Sequence, residues 1–228
     1  MNKLLLNNTI LLLLLSAASR GLANDDLIDR WASAAGGRDK VAAIKTLYRE
    51  AELEFGAYKG TIKVWHTADG KYRKDEKIGD LSTVEIFDGA KGTLKEGDGA
   101  AREMTSAELG ISKAKRFANA NAMFFAFFPE RRHGSVSIEP GDTIVLKPEG
   151  GVEWRIGLDP QTSLPKTMVH KEGDRTITVT FDSYETIDGI KFEKEIHRSA
   201  GGPASAVIRF TKTVINPPTD AELFAIKQ

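Results

Sequence analysis

Cysteine is absent from all 228 residues. That excludes disulfide staples, a thiol nucleophile and the lipoprotein route in which a lipid is attached to a cysteine just after an exported leader. A basic excess is also missing, since 32 Lys and Arg face 32 Asp and Glu. A nucleic-acid binder needs such an excess to displace counterions, so nucleic acid is excluded as a partner. No apolar run spans about 30 Å of hydrocarbon at a helical rise. HExxH, GxSxG, GxGxxG and GxxxxGK[ST] do not occur, and His66, His133, His170 and His197 stand far apart without metal spacing. No catalytic residue, metal site or cofactor is therefore expected, although paired carboxylates that meet only through the fold leave no sequence trace.

The chain begins with Lys3, a broken apolar run from Leu4 to Leu6 and Ile10 to Leu15, and small residues ending in Gly21-Leu22-Ala23. This is the pattern of a secretory signal peptide over residues 1–23, cleaved near Ala23. A single domain is expected over 24–228, in the bacterial periplasm. It must hold together by its core alone, which a chain of this length can do. Without Lys3 and Arg20 the charge is 30 basic against 32 acidic residues, a difference of minus two.

Capped by Asn24 or Asp25, a helix is predicted over Asp26 to Ala35, with Leu27, Ile28, Trp31, Ala34 and Ala35 near one face and Gly36-Gly37 as its stop. A short second helix follows over Arg38 to Ile44. The period then changes. Leu47, Ala51, Leu53 and Phe55 hold the odd positions, with Glu50, Glu52 and Glu54 between them, as in a half-buried strand whose carboxylates face solvent. Short alternating segments separated by Gly and Asp turns continue through Thr61–Thr67, Lys71–Lys77, Leu81–Phe87 and Gly92–Lys95, and again from Val136 to Val214. This is the pattern of an antiparallel sheet.

One segment interrupts it. Thr105-Ser106-Ala107-Glu108 is a capping box, and the helix it opens is predicted to run from Leu109 through Asn121 into Met123-Phe124-Phe125-Ala126-Phe127-Phe128, stopped by Pro129. Five of those last six side chains are large and apolar, more than one helical face needs. The run is either a plug inside a curved sheet or a lid over an apolar cavity. Lys113, Lys115, Arg116, Arg131, Arg132 and His133 flank it, as a solvated rim or as cations meeting an anionic headgroup.

Several stretches resemble a known class. The helix closed by Gly36-Gly37, followed by Val41-Ala42-Ala43-Ile44-Lys45-Thr46-Leu47, resembles the opening of exported LolA-like proteins. Phe181 to Phe192, with Tyr184 before the turn at Asp188-Gly189, resembles their late hairpin. Leu158-Asp159-Pro160, Leu164-Pro165 and Asn216-Pro217-Pro218 resemble other signposts of the class. The resemblance covers nearly the whole mature chain. It implies a mainly β α+β fold: an incomplete, strongly curved antiparallel β-barrel with helices across its open face and an apolar cavity beneath, shared by lipoprotein carriers, envelope sensors and lipid-binding proteins.

The expected function is that of a periplasmic binding or carrier protein for a lipid or lipid-modified protein, in outer-membrane lipoprotein sorting, with transient membrane contact. Met123, Phe124, Phe127 and Phe128 are expected as lid or lining, and Phe55, Trp65, Phe87 and Trp154 as sheet residues facing the same space. A one-residue slip would turn any of the strand residues outward. The alternative is a non-enzymatic envelope sensor or assembly module, partnered by envelope proteins, whose cavity is filled by its own aromatics.

Overall fold

A computed structural model describes residues 26–131, 133–202 and 205–225. The expected signal peptide, residues 1–23, lies outside the described residues. The dominant element is one antiparallel sheet of thirteen strands: β1 (Thr46–Phe55), β2 (Tyr58–Thr67), β3 (Tyr72–Ile78), β4 (Leu81–Phe87), β5 (Gly92–Glu96), β6 (Arg102–Glu103), β7 (Gly134–Glu139), β8 (Thr143–Pro148), β9 (Trp154–Leu158), β10 (Pro165–Glu172), β11 (Arg175–Ile187), β12 (Ile190–Ser199) and β13 (Ser205–Ile215). Their spatial order is β6-β5-β4-β3-β2-β1-β13-β12-β11-β10-β9-β8-β7. Two meanders of consecutive hairpins are thus joined along one seam, where β1 pairs with β13. The sheet does not close. It forms a curved, open half-barrel.

Helices cover the concave face. Residues 26–34 form α1, followed by α2 (Arg38–Ala42), α3 (Ser106–Lys115) and α4 (Ala122–Phe127). The two free edges, β6 and β7, are consecutive in the chain, so the intervening residues must cross the trough from one edge to the other. This crossing strap contains α3, a 3-10 turn at Asn119–Asn121, and α4. The capping box forms as expected: Glu108 N–H donates to Thr105 Oγ1 at 3.3 Å, and Thr105 N–H to Glu108 Oε2 at 2.8 Å. The helix does not run to Asn121, as its pattern suggested, but stops at Lys115. Arg116 leaves the helix to stack on Phe117 and Phe87, and Asn119 adopts φ 52°, which reverses the backbone. That break lets α4 turn into the core, where every side chain from Met123 to Phe128 is buried. Phe127 packs edge-on against Trp31 at 4.9 Å, and Phe125 against Phe117 at 4.5 Å. The run is a plug at one end of the trough.

The signposts of the class prove to be joints. Gly36, at φ 117°, lies so close to the Asp188-Gly189 turn that a Cβ on it would stand 2.1 Å from the Gly189 carbonyl oxygen. Lys191 N–H donates to Ala35 O at 2.9 Å beside it. Asn216 Oδ1 accepts from the Lys45 and Thr46 amides at 2.7 and 3.1 Å, and its Nδ2 donates to Ala43 O at 3.0 Å, tying the end of β13 to the start of β1. Tyr184 Oη donates to Pro165 O at 2.6 Å. Gly36→Ala is expected to destabilise the protein by about 2 to 3 kcal/mol, because it adds a clash with backbone to an unfavourable positive φ. Urea denaturation checks this against Gly37→Ala, which carries a similar positive φ of 100° but no clash, since a Cβ there meets nothing within 4 Å.

Candidate functional site

The plug fills only part of the trough. Between the concave sheet and residues 115–121 of the strap lies a cavity of about 640 Å³, within the range of small-molecule sites. Its apolar wall comes from inward positions on adjacent strands: Leu53 on β1, Ile62 and Val64 on β2, Val179 on β11, Ile196 on β12, and Ile208 and Phe210 on β13. Alternation explains this wall, because every second residue of a strand faces the same side.

Polar groups interrupt the wall where the alternation places them or where a bulge re-aims them. Arg49 shares the parity of Leu47, Ala51 and Leu53 and so points inward, fully buried. Its guanidinium lies 3.4 Å from the centroid of the Phe210 ring and donates through Nε to Thr213 Oγ1 at 3.1 Å. Its other nitrogens bond to the carboxylate and backbone carbonyl of Glu193, itself buried. Both partners reach this position through irregular pairing. The register of β1 against β13 shifts between Glu50 and Ala51, which brings Thr213 opposite Arg49. The register of β11 against β12 shifts on both sides of Ser183, which turns Glu193 to the same side as Ile196.

His66 follows Ile62 and Val64 onto the concave face of β2, against the Tyr72 ring at 4.9 Å. Burial, and then the nearby Arg49 charge, lower its pKa to about 3, so the imidazole is neutral. Across the cavity His170 stacks on Trp154 at 3.9 Å and shares a hydrogen bond with Glu172 through Nε2 at 3.0 Å. That bond lowers the Glu172 pKa to about 2. Burial opposes the shift, and Arg198, 3.1 Å away, adds to it. At the strap, burial pushes Glu85 up, but Lys115, Lys74 and the Ser112 hydroxyl outweigh it and hold the carboxylate below its usual range. Lys115 is 3.3 Å from Glu85, which pins α3 to β4.

A His whose folded pKa lies below its unfolded value binds its proton mainly after unfolding. Its contribution is therefore fully present above about pH 6.5 and is lost as the pH falls toward 3. Stability is expected to drop by about 1.4 kcal/mol per pH unit on this account within that window. His66→Phe should flatten this part of the curve, which denaturant unfolding between pH 7 and 4 would show.

Of the eight residues expected to contact a ligand, Phe55 and Trp154 line the cavity. Trp65 sits on the opposite face, stacked on Tyr48 at 4.7 Å, because Ile62, Val64 and His66 take the concave side of β2. Phe87 is buried under the Arg116 guanidinium, 5.6 Å from its ring centroid, and does not line the cavity. Met123, Phe124, Phe127 and Phe128 belong to the plug, where Met123 borders only a slit of about 10 Å³ beside Trp31. Sequence reasoning named none of Arg49, His66, His170 and Glu193 as lining residues and weighed the two histidines only for metal. Parity exposes the first two, since each shares its alternation with apolar neighbours. Glu193 carries no such signal, because a bulge decides its direction. The fold also gathers His197, Asp182 and Glu195 on the convex face, with His197 Nε2 3.0 Å from Asp182 and 3.6 Å from Glu195. Arg209 holds Glu195 at 2.8 Å, so the group is a surface ion-pair network.

No known family model and no curated protein sequence matches the chain. Solved structures do. A DUF1329 family protein from Desulfovibrio piger superposes with a TM-score of 0.58 over 89% of this chain and 96% of its own, at 13% identity. A LolA superfamily protein from Nitrosomonas europaea gives 0.53 over 87% and 96%, at 8% identity. An outer-membrane lipoprotein-sorting protein domain from Vibrio parahaemolyticus gives 0.50 over 78% and 88%, at 9% identity. At these identities the likeness is one of fold, and the fold is LolA-like.

Proposed function

We propose that this protein is a periplasmic carrier that holds a lipid, or the acyl chain of a lipid-modified protein, inside its half-barrel, with no covalent chemistry. Residues 1–23 serve as the cleaved export signal and residues 24–228 as a single carrier domain. The observation that carries this reading is the cavity of about 640 Å³, walled by Leu53, Ile62, Val64, Ile196 and Ile208 and left unfilled by the aromatic plug beside it. Each methylene group moved from water into such a space contributes about 0.8 kcal/mol, so a chain of several methylenes is retained without a covalent bond. The deciding experiment is mass spectrometry of an organic extract of the mature protein, purified from periplasm without detergent. A stoichiometric lipid supports the carrier. An empty extract from folded protein favours the sensor or assembly module, whose partner would then be sought by crosslinking.

The mouth of the cavity suits exchange with a membrane. Among the described residues, the large hydrophobic side chains left exposed are Phe55 (41%), Tyr58 (62%) and Leu81 (77%). All three sit at two neighbouring hairpin tips, where Phe55 pairs with Tyr58 and Ile78 with Leu81. Phe55 and Ile78 also line the cavity, so apolar surface continues from the tips to the interior. Tyr58→Asp combined with Leu81→Asp is expected to slow acyl-chain transfer between phospholipid vesicles about tenfold while leaving the thermal melt within a few degrees of wild type. Fluorescence-dequenching transfer assays would show it.

A further inference from the structure

Among the described residues, six buried side-chain polar atoms lack a hydrogen-bond partner, and five of the six belong to residues lining the one cavity. They are His66 Nδ1, Asn119 Oδ1, Asn121 Oδ1, Trp154 Nε1 and His170 Nδ1. The residues come from β2, β9, β10 and the strap, so no local sequence feature explains why they gather there. His66, Asn121, Trp154 and His170 are each more than nine-tenths buried. Leaving a buried polar atom unpaired costs about 1 to 3 kcal/mol, so such atoms are rare in native cores, and a group of them around a single cavity marks a place for a polar partner. Nor does the adjacent helix satisfy Asn121. It precedes α4 with helical backbone angles, φ −76° and ψ −10°, and its side chain makes no cap bond.

The chemistry of these atoms selects the partner. The Trp154 indole N–H only donates, and an Asn Oδ1 only accepts. His66 is a neutral ring, offering one donor and one acceptor. Charged side chains of both signs line the cavity, and most are held in pairs: Arg49 with Glu193, Arg198 with Glu172, Lys74 with Glu76 and Lys115 with Glu85. A phosphate or carboxylate would have to draw a cation out of one of these pairs and leave its partner carboxylate unmatched. A neutral group that both donates and accepts would not.

We infer that the ligand of this cavity carries a neutral hydrogen-bonding group, a hydroxyl or an amide, on its apolar chain, and that Asn121 and Trp154 hold that group inside the protein. This rests on the carrier reading and adds a chemical selection to it. The cavity then distinguishes ligands by a polar feature within the protein as well as by chain length, and an ionised headgroup stays outside.

The test is displacement of a fluorescent fatty probe from the mature protein by 1-dodecanol, dodecanamide, n-dodecane and dodecanoate, in wild type, Asn121→Leu and Trp154→Phe. Both substitutions remove a polar atom while keeping much of the side-chain shape. The preference for dodecanol and dodecanamide over dodecane is expected to fall about tenfold in each variant, while the affinity for dodecane changes less than about twofold. An unchanged preference in both variants overturns the inference, as does a wild-type preference for dodecanoate over dodecanol. If one variant fails to fold, the other decides the matter by the same ratio, beside the wild-type comparison of dodecanol with dodecanoate. A probe that never binds the wild-type protein would instead overturn the carrier reading.

Discussion

Replacing Arg49 with methionine is expected to destabilise the protein by about 3 to 5 kcal/mol, because the Glu193 carboxylate would remain buried without its counter-charge. Few single substitutions outside the plug should cost more. Arg49 is satisfied on every side: Thr213 accepts from Nε, Glu193 accepts through its carboxylate and backbone, and the Phe210 ring lies against the guanidinium plane. The double variant Arg49→Met with Glu193→Met should recover most of the loss, since well-packed apolar residues often match or exceed a buried ion pair in stability. Urea denaturation of the two single variants and the double variant gives the answer. A double variant no more stable than Arg49→Met would show that the pair is not the source of the loss.

Filling the cavity should abolish binding without unfolding the protein. Ile62 and Ile208 stand on either side of β1 and both line the apolar wall. Changing both to tryptophan places two indoles where a chain would lie. If they displace four methylene groups, each worth about 0.8 kcal/mol, affinity for an acyl probe falls by about 3 kcal/mol, roughly 200-fold. Because the added rings enter existing space, the overpacking penalty that usually follows small-to-large changes in a filled core is avoided. Probe titration beside a thermal melt separates the two effects. A folded double-tryptophan variant that binds as well as wild type would place the site elsewhere. Charged substitutions at Phe124 or Phe127 would not serve this purpose, since both side chains are buried in the plug and their loss would unfold it.

The half-barrel was legible because its evidence is periodic. A strand with one solvated face alternates, and β1 shows this from Leu47 to Phe55. Elements whose form depends on tertiary contact were not. The two residues of β6 are too few to show a period, and the break of α3 at Arg116 depends on the Phe87 ring far away in the chain. Trp65 could have been placed on the convex face by extending the parity of Ile62 and Val64 through the strand. The same step assigns His66 and Arg49 to the interior. The turn motifs that suggested the class contribute no chemistry to the site. Gly36 touches Gly189, and Asn216 ties the last strand to the first, so these motifs are read as fold because they hold the fold. The rest of the cavity's polar ring is assembled from distant segments, in the case of Glu193 through a bulge, and has no local pattern to read.

The order of the strands has a consequence for how the molecule is made. Eleven of the twelve strand pairings join consecutive strands, and the twelfth, the seam, is where distant chain meets, with Leu47 paired to Ile215. Hairpin contacts within each meander close short loops early, whereas the seam waits for the C-terminal strand to be synthesised, at the entropic cost of closing the longest loop among the strand pairings. Until then β1 offers an unpaired edge, the kind of strand to which another chain adds itself. The Asn216 clasp becomes possible only when that edge is closed, so the cavity and the finished topology appear together, and a half-made chain has no cavity.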